Sequence, residues 1–480
     1  MKSSPIVYGA GVLMAALLSA CASTADTADP APPDLPATFR QAQVAGAAAV
    51  GPWWTSFDDP QLSGLIEQAL ASNHDIRLAL QRVKQARASE TISDAALFPT
   101  IAAGGAYINS KNGLPDSAKQ NVPGIRSSGY GLNLSWEVDV FGGNRAAARA
   151  AGQDAAVAVY EAAGARLLTA GEVARYYFMW RAAQDQLATQ EQLLDVQRQA
   201  QLHHERRRDE GLEAPASADE ARAETARIAA QLAPVRTQLV AAEQHLATLL
   251  GTRELSRLRT GAAMPNWGSV PAIAAGQPGE LLWRRPDLLA AESRLRAQGE
   301  RVESARAQRW PKFFLSALLG RGNVGLNGIM NGPAQLTNVA AAFALPIFDA
   351  GRINADIARQ SSLKDSAWLS YDQAALRALE EVETSLARLH NEQDDSDRAA
   401  EQLAIRETNF SRAGTMLREG QIDQLAWLGK QQALLQSRLS AIAAREARAV
   451  AAVQLYQALG GGWHANGAAL TTSAQAIHSS

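Results

Sequence analysis

Two short motifs contain residue types that could bind a metal ion or a phosphate. His203, His204 and Glu205 are all zinc-ligand types, but adjacent residues of a helix point about 100° apart and no second cluster lies near in sequence. Residues 320–325 have the G-x-G-x-x-G spacing of a dinucleotide-binding loop. That loop needs a helix directly behind its glycines, whereas residues 326–333 are rich in Gly and Asn and have no helical period. We expect no metal site and no cofactor, and we interpret these glycines as the loop of a strand hairpin.

The rest of the chain offers no active-site combination. No Ser/His/Asp set, HExxH motif or pair of catalytically spaced carboxylates emerges from the sequence. Lys and Arg number 46 against 48 Asp and Glu, so the formal charge of −2 provides no field that would attract nucleic acid. Aromatic residues make up 6%, and Ala, Leu, Gln, Arg and Glu crowd the middle segments, which is typical of long helices and coiled coils. We predict a non-enzymatic, mainly helical protein with no nucleic-acid partner.

The only cysteine of the 480 residues follows a short apolar segment of signal-peptide length. Leu18-Ser19-Ala20-Cys21 resembles the bacterial lipobox, in which the cysteine sulfur receives diacylglycerol and the chain is cut just before it. Ala22 stands where an aspartate commonly retains lipoproteins at the inner membrane, which favours the outer membrane. The alternative is an ordinary secretory signal with an incidental cysteine. We expect a lipoprotein signal peptide at 1–20 and a lipidated, extended tether at 21–50.

Several landmarks recur at one spacing. Three dipeptides reappear 209 residues later: Glu172-Val173 as Glu381-Val382, Glu210-Gly211 as Glu419-Gly420, and Leu250-Gly251 as Leu459-Gly460. Chance rarely keeps such a register, so the chain is a tandem duplication. We divide it into a first repeat (51–251), a linker (252–279), a second repeat (280–462) and a C-terminal tail (463–480).

Each repeat begins with a helical run that a proline ends, 62–97 before Pro99 and about 285–309 before Pro311. After each proline the apolar period becomes two. The segments with this alternation are 100–112, 130–138, 313–319 and 339–347.

Strands of about ten residues cross a bilayer when tilted, with one face toward lipid. A soluble antiparallel sheet with one buried face would show the same alternation, and the lipobox favours the membrane. Four strands cannot close a barrel and an open sheet edge cannot face lipid, so the membrane interpretation requires several chains.

Helices of unusual length follow the strands, at about 143–210 and 351–419, each on the order of 100 Å long. A turn ends each one and a second helix returns. The return helices carry heptads, which predict coiled-coil hairpins: Thr225, Leu232, Leu239 and Leu246 with Ile228, Val235, Ala242 and Leu249, then Leu428, Leu435, Ile442, Ala449 and Tyr456. We expect Pro234 to kink the first return helix, and Gly251 and Gly460 to end the two return helices.

This order of elements resembles the TolC/OprM class of outer-membrane efflux proteins, in the NodT-type branch of RND efflux outer-membrane lipoproteins. The resemblance spans essentially the whole mature chain. Its motifs are WWTSFDDPQL at 53–62, Ala69-Leu70, Asn73-His74-Asp75-Ile76, Arg284-Arg285-Pro286-Asp287-Leu288 with Ala291-Glu292, and the strand exits 136–142 and 346–352. It implies a homotrimer in the bilayer with a twelve-stranded β-barrel and a periplasmic α-barrel.

The resemblance also implies partners and a gate. A periplasmic adaptor (membrane fusion protein) would meet the hairpin tips, at Gly211-Leu212 and Gly420-Gln421, and would join the duct to an inner-membrane RND transporter. Gly429 stands where many relatives carry a gating aspartate. We therefore hypothesise that Arg418 and Asp423 hold the periplasmic entrance closed by a charge-assisted contact; the alternative is that both are solvated tip residues.

The expected function is a passive outer-membrane channel of a tripartite efflux pump, which conducts toxic small molecules from periplasm to exterior. Two alternatives stay open: a type I protein-export duct, and a non-conducting periplasmic coiled-coil scaffold lipoprotein. The amphipathic strands favour a channel over the scaffold.

Overall fold

The computed structural model describes residues 33–41, 51–110, 125–253, 267–326 and 329–463. The predicted signal peptide and Cys21 lie outside the described residues, as do residues 22–32 and 42–50 of the tether and the tail after Trp463. Everything discussed below belongs to the unit that begins at Leu35. In this part of the chain, no helix has both the length and the apolar character needed to cross a membrane.

The two halves contain the same succession of elements. The first half has a 3₁₀ turn (Trp53–Phe57), α1 (Pro60–Ser72), α2 (His74–Ala95), β1 (Thr100–Ser110), β2 (Ile125–Val138), α3 (Gly143–Asp209), α4 (Pro215–Ala230) and α5 (Leu232–Leu249). The second half has a 3₁₀ turn (Pro278–Glu280), a single helical turn (Leu281–Arg284), α6 (Pro286–Ala307), β3 (Lys312–Leu326), β4 (Ile329–Ala344), α7 (Arg352–Arg418) and α8 (Gln424–Ala458). The predicted fold class, a strand hairpin plus a long helical hairpin repeated twice, is confirmed.

The heptads pack as predicted. Leu428, Leu435, Ile442, Ala449 and Tyr456 are all buried, as are Ile228, Leu232, Val235, Ala242 and Leu246. Gly251 and Gly460 follow the ends of α5 and α8 with φ of 62° and 69°. Their amides donate to Thr248 and Gln457 carbonyls, which caps the two helices.

The structure interrupts the run 62–97, which the sequence predicted as one helix, and it breaks the first return helix next to Pro234, where a kink is predicted. The run 62–97 is broken at Asn73, whose side chain accepts hydrogen bonds from the Asp75 and Ile76 amides and so starts α2 as a new helix. The first return helix is broken at Gln231. Pro234 is the cause, because it has no amide hydrogen and its ring clashes with the carbonyl of residue 230.

The strand boundaries also differ from the prediction. The glycines at 320–325 do not form a loop: they lie inside β3, which pairs with β2 as far as Leu326. β2 begins at Ile125, and β4 runs from Ile329 to Ala344, earlier than the predicted 339–347. Glycines are poor strand formers, and the close backbone approach described below explains why they stand here.

The helices form a layer in which each long helix lies beside a composite of two shorter ones. α3 contacts α2, α4 and α5 on one side and α6 and α8 on the other, and α7 contacts α6 and α8. In the main core, Trp53, Phe57 and Trp267 pack with residues of α3, α7 and α8. Asp59 holds the opening segment in place, since it caps α1 and accepts a 2.6 Å hydrogen bond from the Tyr177 hydroxyl. Burial, together with this hydrogen bond, raises the pKa of Tyr177.

Candidate functional site

The sheet is antiparallel in the order β1-β2-β3-β4, and its register separates two faces. Residues directly opposite each other share a face. The apolar face has these successive rows, starting next to the helices: Val138, Phe313 and Phe343; Trp136, Leu315 and Ala341; Ile101, Leu134, Ala317 and Val339; Ala103, Leu132, Leu319 and Thr337; Gly105, Tyr130, Arg321 and Gln335. This face carries large side chains that are exposed, including Tyr130 (69%) and Val339 (77%).

The opposite face is mostly small or polar. Its rows include Thr100, Ser135, Ser316 and Ala340, then Ala102, Asn133, Leu318 and Asn338, then Gly104, Gly131, Gly320 and Leu336. Near the helices, Glu137 and Lys312 form a 3.1 Å ion pair. Such a division matches a strand with one side toward lipid and one toward a polar lumen.

The glycines of β2 and β3 allow an unusually close approach of two backbones. A Cβ at Gly131 would lie 2.6 Å from the Leu319 carbonyl oxygen, and one at Gly320 would lie 2.6 Å from the Tyr130 carbonyl oxygen. Side chains are therefore excluded at both positions.

Aromatic rings collect where the sheet meets the helices. Phe141 stacks on Trp310 with ring centroids 5.4 Å apart and lies 6.5 Å from Phe313, which lies 6.4 Å from Phe343. The Trp136 indole donates to the Leu97 carbonyl at 3.1 Å. Aromatic rings favour the boundary between hydrocarbon and water, so this cluster marks one edge of the apolar face.

The composite helices are joined end to end by side chains at equivalent positions of the two halves. The side-chain amide of Asn73 donates to the Leu249 carbonyl at 2.9 Å, and the Arg285 guanidinium donates to the Ala458 carbonyl at 3.0 Å. Leu249 and Ala458 are 209 residues apart, as the repeat requires. Each side chain satisfies a helix-terminal carbonyl that has no partner within its own helix.

Arg285 has two further partners. It is buried and forms 2.8 Å and 2.7 Å ion pairs with Asp287 and Glu381. Burial opposes its charge, but the two carboxylates outweigh burial and raise the pKa of Arg285. Arg285 therefore ties the α6–α8 junction to α7.

A charged cleft of about 790 Å³ opens at this junction, between α3 and α7. Its charged lining residues include Glu172, Arg285, Arg377, Glu381 and Arg388. α7 buries Ala375, Ala378, Val382 and Leu386 in the main core instead. These positions lie on another side of α7, so α7 contacts the cleft and the main core with different sides.

The turns at the far ends of the two helical hairpins have the same geometry. Gly211 and Gly420 have φ of 74° and 72°. The next amides, of Leu212 and Gln421, donate to carbonyls five residues earlier, at Arg207 and Met416. This is a Schellman arrangement, which ends a helix with glycine in the left-handed region. Leu212 is 66% exposed at the first tip.

Charged side chains link the two tips. Glu213 lies 2.9 Å from His204 Nδ1 and 3.6 Å from Arg207. Arg207 also lies 3.8 Å from Asp423, which caps α8 by accepting from the Ala426 amide at 2.8 Å. Arg418 donates to the Thr415 hydroxyl at 3.2 Å. Within one chain, the structure thus places Asp423 beside Arg207, and the hypothesised contact between Arg418 and Asp423 stays a prediction.

Comparison with known proteins decides the family. The sequence profile of the family described as "Outer membrane efflux protein" matches residues 65–252 and 278–461, once in each half of the chain. The chain belongs to this family. It is an outer-membrane efflux channel.

Individual members of the outer membrane efflux protein family match nearly end to end. The pyoverdine export outer membrane protein OpmQ of Pseudomonas aeruginosa is 31% identical over 94% of this chain and 96% of OpmQ. The cation efflux system protein CusC of Escherichia coli O6:H1 is 28% identical over 86% of this chain and 88% of CusC. The open-state structure of the MtrE outer membrane channel of Neisseria gonorrhoeae aligns with a TM-score of 0.78 at 25% identity, over 90% of this chain and 97% of MtrE. The resemblance noted from the motifs is confirmed.

The sequence does not predict two side-chain contacts at the tips. Arg207 lies near Glu213 of its own tip and near Asp423 of the other tip. His204 is not in a metal cluster; within the described residues no group of three potential ligands occurs, and His204 pairs with Glu213. No sequence pattern indicates either contact, because Asp423 and Glu213 lie beyond the turns.

Proposed function

We propose that three copies of this chain form a duct through the outer membrane and periplasm, as the exit of a tripartite RND-type efflux pump. The observation that carries the proposal is the amphipathic sheet, whose two edges, β1 and β4, have no partner strand within the described chain. An open edge is too costly in lipid. Three such sheets joined edge to edge give twelve strands and remove every edge.

The helix layer supports the same assembly. One side of α7 packs in the main core and another side lines the charged cleft. If the duct closes with the core outside, Glu172, Arg377 and Arg388 line a wide polar lumen. Such a wall suits passive conduction of varied small molecules, with energy supplied by the inner-membrane transporter through the periplasmic adaptor.

The decisive experiment is reconstitution of the full chain into planar bilayers. We expect stepwise conductance from a particle of three chains. A deletion strain should become sensitive to toxic compounds and should recover with the intact gene. A non-conducting scaffold would give neither result, and a protein-export duct would conduct without altering sensitivity to small toxic compounds.

We further propose that Cys21 carries diacylglycerol and a third acyl chain (palmitate), which anchors the mature chain in the inner leaflet. The support is the lipobox and the outer-membrane location of the family. Mass spectrometry of the purified protein should show the acyl mass on an N-terminal Cys21, and Cys21→Ser should abolish it. An unmodified mature chain would contradict the anchor.

We propose that the tips meet the adaptor at Gly211-Leu212 and Gly420-Gln421.

We also propose that Arg418 and Asp423 close the periplasmic entrance. Arg207 contributes to this gate, because it lies 3.8 Å from Asp423 in the same chain. We expect Asp423→Ala and Arg207→Gln to raise the conductance of reconstituted trimers. Glu210→Gln, at an acidic residue of the first tip, is the control. Unchanged conductance in both variants would remove the gate assignment.

A further inference from the structure

The apolar face of the sheet contains a groove of about 620 Å³. The side chains that line it are Ala103, Tyr130, Leu132, Leu319, Arg321 and Gln335. All six lie in two adjacent rows of the apolar face. Gly105 belongs to the second of these rows, and because it has no side chain, the groove stays open between its neighbours.

The polarity changes along this groove. Leu132 and Leu319, which are 52% and 57% exposed, form its end nearer the helices. Tyr130, Arg321 and Gln335 form the other end, and beyond them the same face continues with Tyr107, Ser128 and Asn323. The apolar face therefore changes from apolar to polar within the groove. This change lies toward the end of the sheet that is farther from the periplasmic helices.

The described charged side chains near the polar end of the groove are all positive. Among the described side chains of the sheet, the apolar face carries Arg126 and Arg321 and no carboxylate. Among the described residues of the four strands, the acidic residue is Glu137, which lies on the other face and pairs with Lys312. An exposed guanidinium beside a tyrosine at a membrane interface, without an acidic partner, is suited to a phosphate group.

We propose that this groove binds a phosphate-bearing lipid of the outer leaflet. An acyl chain lies on Ala103, Leu132 and Leu319, while Arg321 binds the headgroup phosphate with help from the Tyr130 hydroxyl and the Gln335 amide. The proposal rests on the outer-membrane location of the family and on the register of one chain. It is independent of the proposed trimer and gate.

The test is a binding titration of the purified full-length protein in detergent, followed by native mass spectrometry. Diphosphoryl lipid A is the probe, and its dephosphorylated form and inorganic phosphate are the comparison ligands. We expect Arg321→Gln to weaken binding of diphosphoryl lipid A about tenfold, the effect of losing one charge-assisted hydrogen bond. Arg321→Lys should keep most of the affinity, and Lys312→Gln, on the opposite face, should keep all of it.

A second pair of variants tests the groove itself. A Cβ at Gly105 would make only ordinary contacts, the nearest at 3.4 Å, and one at Gly104 would meet nothing within 4 Å. Gly105→Leu fills the groove and should reduce binding of both forms of lipid A, whereas Gly104→Leu points to the other face and should not.

Three outcomes would overturn the proposal. The first is equal binding of lipid A to the wild type, Arg321→Gln and Gly105→Leu. The second is equal affinity for the phosphorylated and dephosphorylated lipids. The third is full competition by millimolar inorganic phosphate alone, which would make the site a general anion site.

Discussion

At the scale of single residues, the two halves of the chain use different side chains for the same joint. Asn73 and Arg285 both precede a helix, and both side chains donate to a carbonyl at the end of another helix, Leu249 in α5 and Ala458 in α8. Arg285 adds Asp287 and Glu381 to this contact. The second joint therefore holds three helices, whereas the first holds two.

We predict that Arg285→Gln destabilises the protein by about 2–3 kcal/mol, because it leaves the Ala458 carbonyl poorly satisfied and removes the positive charge between two carboxylates. Asn73→Ala should cost about 1–2 kcal/mol. The measurement is the midpoint of thermal unfolding in detergent. Arg296→Gln, which breaks only an exposed pair with Glu292, is the control and should change the stability by less than about 0.5 kcal/mol. Equal midpoints for Arg285→Gln and this control would show that Arg285 does not stabilise the junction of α6, α7 and α8.

Glu446 makes stability depend on pH. Burial in α8 raises the pKa of Glu446 to about 7, from an ordinary value of 4.5. Between these values the folded chain keeps a proton that the unfolded chain has released, so stability falls as the pH rises through this window. Glu446→Gln should raise the unfolding midpoint at pH 8 and leave it nearly unchanged at pH 4.5. Glu401→Gln, at an exposed residue of α7, controls for loss of charge; a rise that is equal at both pH values would refute the prediction.

At the scale of elements, the sheet depends on glycine where two strands approach closely. We predict that Gly131→Ala lowers the heat resistance of the protein, because the new Cβ must push against the Leu319 carbonyl oxygen at 2.6 Å. Gly104→Ala is the matched control, since Gly104 lies opposite Gly131 and a Cβ there would meet nothing within 4 Å. Unheated and heated samples compared by electrophoresis give the readout. Equal heat resistance of the two variants would show that β2 and β3 can move apart at position 131 without destabilising the protein.

Elements of strong period were predictable from the sequence, and so was the interruption at Pro234, whereas the interruption at Asn73 was not. The heptads of α8 and the alternation of Tyr130 to Val138 depend only on local pattern, and both are present in the structure. The glycines at 320–325 form a strand because β2 supplies matching glycines in register, which is information from another part of the chain. The tip contact between Arg207 and Asp423 joins residues 216 apart in sequence, so no local pattern could indicate it. The break at Asn73 was not predicted, because helical sequence continues on both sides of it.

At the scale of the whole molecule, the sheet edges determine how chains must meet. β1 and β4 each use one edge to pair inside the chain, so in the proposed trimer β4 of one copy pairs with β1 of the next. The apolar faces then continue around the ring, and the lipid groove, which lies across β1 to β4 of one chain, is repeated in every copy.

Cysteine cross-linking can count the copies. In a Cys21→Ser background, we pair Ala103→Cys on β1 with Cys at Thr337, Val339 or Ala341 on β4, since all four positions lie on the apolar face. Mild oxidation should give covalent dimers and trimers for at least one pair, and no larger species, because the ring closes at three. The control pair, Leu134→Cys with Ala317→Cys, lies directly opposite within one chain and should cross-link without any increase in mass. A ladder beyond three chains would indicate an open or larger ring, and monomers alone from every β1–β4 pair would show that these edges do not meet.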